Sequence, residues 1–159
     1  MSWADFSTDI EEQAKAALQN DDWLGANGTG GILTREILHP QPAGAPQEIE
    51  QYEAPYIGVR CPTSKGAPHA TQETMLLYQL VIVVVTIDAE NRSGYDTNAE
   101  IRDRACKLIY DQSGSDWLST GEQVLIESWD AGEPVAAKDA PNVWTSKSTL
   151  PVQVLYPEG

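Results

Sequence analysis

The chain has 159 residues, which is enough for one domain with a sizeable hydrophobic core. Its 24 acidic residues against 10 basic ones give a formal net charge of −14 at pH 7. This charge argues against a nucleic-acid-binding protein, because binding requires cations that replace the counterions of the phosphates. The N-terminal stretch MSWADFSTDIEEQ has neither a basic nor an apolar segment, so we expect a soluble protein without a secretory signal.

Two segments are predicted to form amphipathic helices, each with one apolar side lying on another layer. Thr8 and Glu11 in the first segment, and Thr97 and Glu100 in the second, have the spacing of a capping box. Gly114 follows the second segment at a position where helices commonly end. The apolar residues that recur with the helical period are Ile10, Ala14, Ala17 and Leu18 in the first segment and Ile101, Ala105, Leu108 and Ile109 in the second.

Five strands are predicted, three before the second helix and two after it. They cover residues 30–40, 54–62, 74–89, 122–130 and 142–157. Pro151 cannot donate a backbone hydrogen bond, so the last strand is predicted to lie at a sheet edge or to carry a bulge there. Two long loops, 39–55 and 62–74, are rich in proline, glycine and alanine, and loops of this length are usually functional or disordered.

This order of elements predicts an α+β fold in a single domain that covers residues 1–159. Few connections are long enough to be the crossovers that parallel strands require. We therefore expect a mainly antiparallel sheet with two helices packed on one face. The predicted order is helix, three strands, helix, two strands.

The chain shows no pattern typical of a catalytic, metal or cofactor site. The glycine-rich stretch 25–31 follows a helix and precedes a strand, the reverse of a phosphate-binding loop, and it lacks the G-x-x-x-x-G-K-[ST] motif. His39 and His69 lie in predicted loops without a second histidine at ligand spacing. Cys61 and Cys106 lie far apart, which favours reduced, partly buried thiols over a single long-range disulfide. We expect no enzymatic activity and no cofactor.

Three of the few cations, Arg102, Arg104 and Lys107, flank the apolar stripe of the second helix. We interpret them as a solvated helix flank. The alternative is a small basic patch that docks onto an acidic neighbour.

The stretch QLVIVVVTID, residues 79–88, is apolar on both faces of a predicted strand. It is too short to cross a membrane. Because alternate residues point to opposite faces, one set packs under the helices and the other needs a different cover. A bare apolar patch usually marks a protein–protein interface, so we expect another copy or a fixed partner there. The set that stays apolar furthest along the strand is assigned to the helix-covered core and comprises Leu77, Val81, Val83, Val85 and Ile87. The set assigned to the subunit interface comprises Tyr78, Leu80, Ile82, Val84 and Thr86.

The succession of elements resembles the tail terminator, or tail completion, proteins of long-tailed bacteriophages. The resemblance is carried by the helix IEEQAKAALQND, the long strand LLYQLVIVVVTIDAE, the helix NAEIRDRACKLIYD and the late strands that end in LPVQVLYPE. It implies a subunit that assembles as a ring, six-membered in this family, on the last ring of the tail-tube protein. Such a ring ends tube polymerisation at the head-proximal end of the tail and binds the head–tail connector or stopper protein. The ring lets DNA pass without binding it. The resemblance implies no cofactor.

Three other functions remain open at this level. The chain could be a connector or stopper protein of the neck, or an acidic DNA mimic that inhibits a nucleic-acid enzyme. A DNA mimic needs carboxylates at regular spacing along a surface, whereas here they cluster in loops and at helix ends. A cellular enzyme with dispersed catalytic residues is the third alternative.

Overall fold

The structure is a computed structural model that describes residues 6–21, 23–24, 32–34, 56–61, 65–68, 73–88, 93–137 and 140–157. In these residues the elements are, in chain order, α1 (Ser7–Gln19), β1 (Ile32–Thr34), β2 (Tyr56–Arg60), β3 (Lys65–Pro68), β4 (Glu73–Ile87), α2 (Gly94–Tyr110), β5 (Val124–Leu125), β6 (Val135–Ala137) and β7 (Ala140–Pro157).

The strands of the described residues form one sheet with the order β1–β2–β4–β7–β5, while β3 pairs with β4 and β6 pairs with β7. Every pairing is antiparallel except that of β1 with β2. The longest ladder joins β4 to β7 and runs from Glu73 opposite Pro157 to Ile87 opposite Val143. The predicted α+β class with a mainly antiparallel sheet is confirmed.

Two short strands, β3 and β6, are absent from the sequence prediction, so the observed order is helix, four strands, helix, three strands. β3 lies inside the predicted loop 62–74, and its sequence KGAP contains no β-branched or aromatic residue. β6 has the sequence VAA. Backbone pairing to the long strands β4 and β7 explains both, since side-chain propensity does not. The remainder of that loop, apart from the first residues of β4, and all of the loop 39–55 lie outside the described residues.

Both helices lie on the same face of the sheet and share one hydrophobic core with it. The predicted helical stripes are confirmed, with Ala17 and Leu108 at the margin of the core. Full burial of an aliphatic side chain stabilises a fold by about 1.5–3 kcal/mol, so this layer dominates stability. The sheet residues that contribute to it are Ile57, Val59, Leu76, Tyr78, Leu80, Ile82, Val84, Val124, Leu150, Val152 and Val154.

One carboxylate is buried beneath α1 and connects this helix to the sheet. Glu11 is 2% exposed, and its Oε2 atom accepts a hydrogen bond of 2.8 Å from the backbone nitrogen of Cys61 at the end of β2. A buried carboxylate is costly unless it accepts such bonds. The Glu11–Cys61 bond therefore fixes the position of α1 relative to the sheet.

Both helices begin earlier than the predicted capping boxes, so the predicted starts at Thr8 and Thr97 are wrong. Phe6 precedes α1, and its backbone nitrogen donates to the hydroxyl of Tyr78 over 2.8 Å. Ser93 is the N-cap of α2, and its Oγ accepts from the backbone nitrogen of Tyr95. The Tyr78 hydroxyl binds the chain at Phe6, and the Ser93 side chain caps α2, so both threonines lie inside the first turn.

The start of α2 is fixed by polar contacts with β4 and β7. Asp88 Oδ1 accepts hydrogen bonds from the Gly94 backbone nitrogen (2.7 Å) and from Trp144 Nε1 (2.9 Å). Thr86 Oγ1 donates to the Gly94 carbonyl over 2.6 Å. Asn98 Nδ2 donates to the carbonyls of Val84 and Trp144. A Cβ atom on Gly94 would lie 2.6 Å from Trp144 Cδ1, so this close approach of helix and strand requires glycine.

Pro151 lies within β7 without breaking the ladder to β4. The nitrogens of Thr149 and Leu155 donate away from β4, to Asp130 and Gln123. Pro151 has the same parity, so its nitrogen also points away from β4. On that side the described strand β5 pairs only with Gln153 and Val154. The prediction of a sheet edge or a bulge at Pro151 is therefore met only locally: β7 is an interior strand with β4 on one side and β5, β6 and Asp130 on the other, and among the described residues only the position of Pro151 lies in the gap between those partners.

We expect Asp88→Ala to lower the free energy of unfolding by about 1–2 kcal/mol, because the N-terminal backbone nitrogen of α2 and the Trp144 indole lose their shared acceptor. Chemical denaturation measures the change. Asp116→Ala is the control, since Asp116 is exposed and the expected effect is within about 0.5 kcal/mol. Equal effects of the two substitutions would contradict an anchoring role for Asp88.

Candidate assembly surface

The residues predicted for the subunit interface lie in the core under the helices, so the assignment of the two sides of β4 is wrong. Tyr78, Leu80, Ile82, Val84 and Thr86 are at most 2% exposed. The Tyr78 hydroxyl contacts the start of α1, and the Thr86 hydroxyl contacts the start of α2. A side chain that is fully buried inside one subunit cannot contact another subunit.

The reason for the error is the polar residue at the end of the buried set. The sequence prediction treats Thr86 as the rim of an interface because the set turns polar there. In the structure its hydroxyl is 1% exposed and is paired with the Gly94 carbonyl, so its burial carries little penalty. The other set ends in Ile87, which is apolar but 42% exposed. Length of the apolar run is therefore a poor guide to which side the helices cover.

The face of the sheet opposite α1 and α2, here called the second face, carries the other set of β4 residues. Val83 and Val85 are buried there, whereas Leu77 and Ile87 are 44% and 42% exposed. Val135 on β6 belongs to the same face, because it pairs with Thr145, which in turn pairs with Val85. It is 60% exposed. Leu77, Ile87 and Val135 are the exposed large hydrophobic residues of the described chain, and all three lie on the second face.

Register also places two cations on the second face. Arg60 pairs with Val81, and Lys147 pairs with Val83. Arg60 is half-buried and Lys147 is exposed. Within the described residues neither forms a salt bridge. Sequence reasoning missed Val135, because nothing in the sequence VAA indicates the pairing of β6 with β7.

The predicted docking patch on α2 is occupied by contacts within the chain. Arg104 forms a two-pronged ion pair with Asp21, with Nη2–Oδ1 at 2.7 Å and Nε–Oδ2 at 3.3 Å. Lys107 pairs with Asp111 over 2.8 Å. Arg102 contacts Asp103 and donates to the Gly132 carbonyl over 2.9 Å. The three cations therefore stabilise the subunit and do not form a patch of unpaired positive charge.

Reactive groups in the described residues are few. The side chains of Cys61 and Cys106 are buried thiols that form no disulfide, as predicted. Burial raises the pKa of the Cys106 thiol to about 11, which makes it a poor nucleophile. The described residues contain no group of three or more His, Cys, Asp or Glu that could hold a metal ion. His39 and His69 lie outside the described residues. No helix in the described part of the chain is both long and apolar enough to span a membrane.

The corrected assignment predicts opposite outcomes for a charge on the two sides of β4. Ile82→Asp places a carboxylate in the helix-covered core and is expected to unfold the chain. Leu77→Asp places it at an exposed position of the second face and is expected to change stability by at most about 1 kcal/mol. Thermal melting followed by circular dichroism compares the two variants. If Leu77→Asp unfolds the chain as completely as Ile82→Asp, the second face at Leu77 belongs to the monomer core.

The Asp21–Arg104 ion pair is expected to make stability depend on pH in the acid range. The hydrogen bond that Asp21 accepts from Arg104 lowers the pKa of the Asp21 carboxyl group below the usual value of 3.8, although partial burial opposes the shift. A carboxyl group whose pKa is lower in the folded state contributes stability above its unfolded pKa and loses it as the pH falls through the folded pKa. Asp21→Asn should therefore destabilise the protein at pH 7 and match the wild type more closely below about pH 4. A stability difference that stays constant from pH 7 to pH 3 would contradict this assignment.

No family model and no curated protein matches the chain. Among solved structures, 22 chains match. One of them belongs to the virion of a native gene transfer agent particle; it is 15% identical, with a TM-score of 0.60, and the match covers 93% of this chain and 96% of that chain. At this identity the likeness establishes the fold. The chain described here has the same fold as that virion chain over nearly the full length of both.

Proposed function

We propose that the protein is a structural subunit of a phage-like virion that caps the tail tube as a ring. It ends polymerisation of the tube protein and joins the tail to the head connector or stopper protein. The observation that carries this proposal is the whole-length fold likeness to a chain of a virion particle.

Two features of the chain support an assembly function. The exposed large hydrophobic side chains of the described residues share one face of the sheet, which is typical of a surface that contacts protein. The net charge of −14 suits a ring around a DNA channel, because a negative lining repels phosphates and lets DNA pass without binding. Copies of the same chain form the ring, and the tube protein and the connector contact its two ends.

Deletion of the gene in the producing strain tests the proposal. We expect tails of uncontrolled length that lack heads, because nothing ends tube growth and nothing joins the connector. Expression of the wild-type chain from a plasmid should restore tails of uniform length, and a plasmid carrying Ile82→Asp should not. Negative-stain electron microscopy measures tail length and head attachment, and labelled antibody should bind at the head-proximal end of the tail.

The same images separate the proposal from its closest alternative. Unattached tails of normal length would indicate a connector or stopper protein, whose loss leaves tube termination intact. Particles of normal form and infectivity would contradict any structural function in the virion.

A further inference from the structure

Three valines on the second face are buried although both helices lie on the other side of the sheet. Val83 and Val143 are 7% exposed, and Val85 is 3% exposed. Their parity on β4 and β7 points them away from the helices, and none of them belongs to the helix-covered core. An uncovered sheet face is solvated. Because this burial is that of a single subunit, another part of the same chain lies over the three valines.

The pairing of β1 with β2 requires a connection that crosses one face of the sheet. The two strands are adjacent and parallel, from Ile32 opposite Ile57 to Thr34 opposite Val59. Parallel neighbours cannot be joined by a hairpin and need a crossover of about a dozen residues or more. The 21 residues 35–55, here called the connecting segment, join the two strands and lie outside the described residues.

The handedness of crossovers favours one of the two faces for this connection. β4 and β5 are parallel, because each is antiparallel to β7, and α2 joins them across the helix side. Crossovers between parallel strands of one sheet are right-handed in about 98% of cases. β1 and β2 run opposite to β4, yet both connections advance in the same direction along the sheet. Reversing the strands while keeping the advance moves a right-handed crossover to the other face, which is the second face.

The helix side above β1 and β2 is also occupied already. α1 contacts both strands, and its Glu11 carboxylate accepts a hydrogen bond from the backbone of Cys61 at the end of β2. A connection on that side would have to pass over α1. On the second face, no described helix lies above the strands.

We propose that the connecting segment packs across the second face and buries Val83, Val85 and Val143. From β2, the strands β4 and β7 lie about 5 and 10 Å away, whereas 21 extended residues span up to about 70 Å. Burial of apolar side chains against the valines drives the packing. The large apolar residues that the segment offers are Ile37, Leu38, Ile49 and Tyr52. A partner that approaches this face then contacts the segment and the exposed residues around it, and does not contact the valines.

Photo-cross-linking on the full-length chain tests the position of the segment. A benzophenone amino acid replaces Ala43, near the middle of the segment, and cross-linked peptides are identified by mass spectrometry. We expect cross-links to residues on the second face of β4 and β7. Cross-links to α1 or α2, or the absence of any cross-link to the sheet, would overturn the proposal.

Two controls accompany the cross-linking. In a mixture of isotope-labelled and unlabelled chains, a cross-link within one chain joins peptides of the same label. Cross-links that join the two labels would show that a second copy covers the face, and would also overturn the proposal. The same amino acid at Asp116, an exposed residue between α2 and β5, should give no cross-link to the second face.

Thiol reactivity measures the cover itself. Val83→Cys should react with a maleimide at least about tenfold more slowly than Leu77→Cys, whose position is exposed. Ile49→Ser/Tyr52→Ser removes two large apolar side chains from the segment and should raise the reaction rate of Val83→Cys at least about tenfold, because the segment then opens more often. The matched variant Gln47→Ser/Gln51→Ser removes no apolar side chain and should leave this rate close to its original value.

Ile82→Cys reports on the other side of β4. It should stay protected in both double variants, because the helices cover this position. Equal reaction rates of Val83→Cys in the two double variants would contradict a cover formed by the segment. The cross-links decide the question on the intact chain even if Ile49→Ser/Tyr52→Ser unfolds the protein. None of these measurements requires a ring or a tail, so their outcome is independent of the capping function.

Discussion

The antiparallel ladder between β4 and β7 is the constraint on which the rest of the structure depends. Its register, from Glu73–Pro157 to Ile87–Val143, decides which residues of both strands share a face. A shift by one residue would move every side chain of one strand to the other face. The ladder therefore sets the helix-covered core and the composition of the second face at the same time. It also provides the backbone groups to which the short strands β3 and β6 pair.

Polar contacts between α2 and the two long strands, on the face of the sheet that the helices cover, make this register specific. Asn98 donates to carbonyls of both β4 and β7, so α2 can occupy only one position along the ladder. Asp88 ties the first turn of α2 to the indole of Trp144. Gly132 packs closely against the backbone of β7, because a Cβ atom at this position would overlap the carbonyl of Lys147. Apolar packing supplies most of the stabilisation, and these contacts select one arrangement among several that would bury similar area.

The distribution of charge follows from the same geometry. The cations of α2 lie on its flanks, where carboxylates of the same subunit reach them, and the end of α1 brings Asp21 to Arg104. Within the part of the chain that the structure describes, the cations of the second face, Arg60 and Lys147, form no salt bridge.

The sequence by itself determined the class of fold, both amphipathic helices, the long strands and the buried reduced cysteines. These features depend on local periodicity, on glycine and proline positions and on composition, all of which act over a few residues. Only the tertiary structure decided which side of β4 faces the helices. Both sides are apolar, and the polar Thr86 is accommodated in the core because a carbonyl from α2 lies within hydrogen-bond distance. The pairing of Val135 beside Lys147 and the ion pair of Arg104 with Asp21 likewise join residues far apart in the chain, and local patterns carry no information about such contacts.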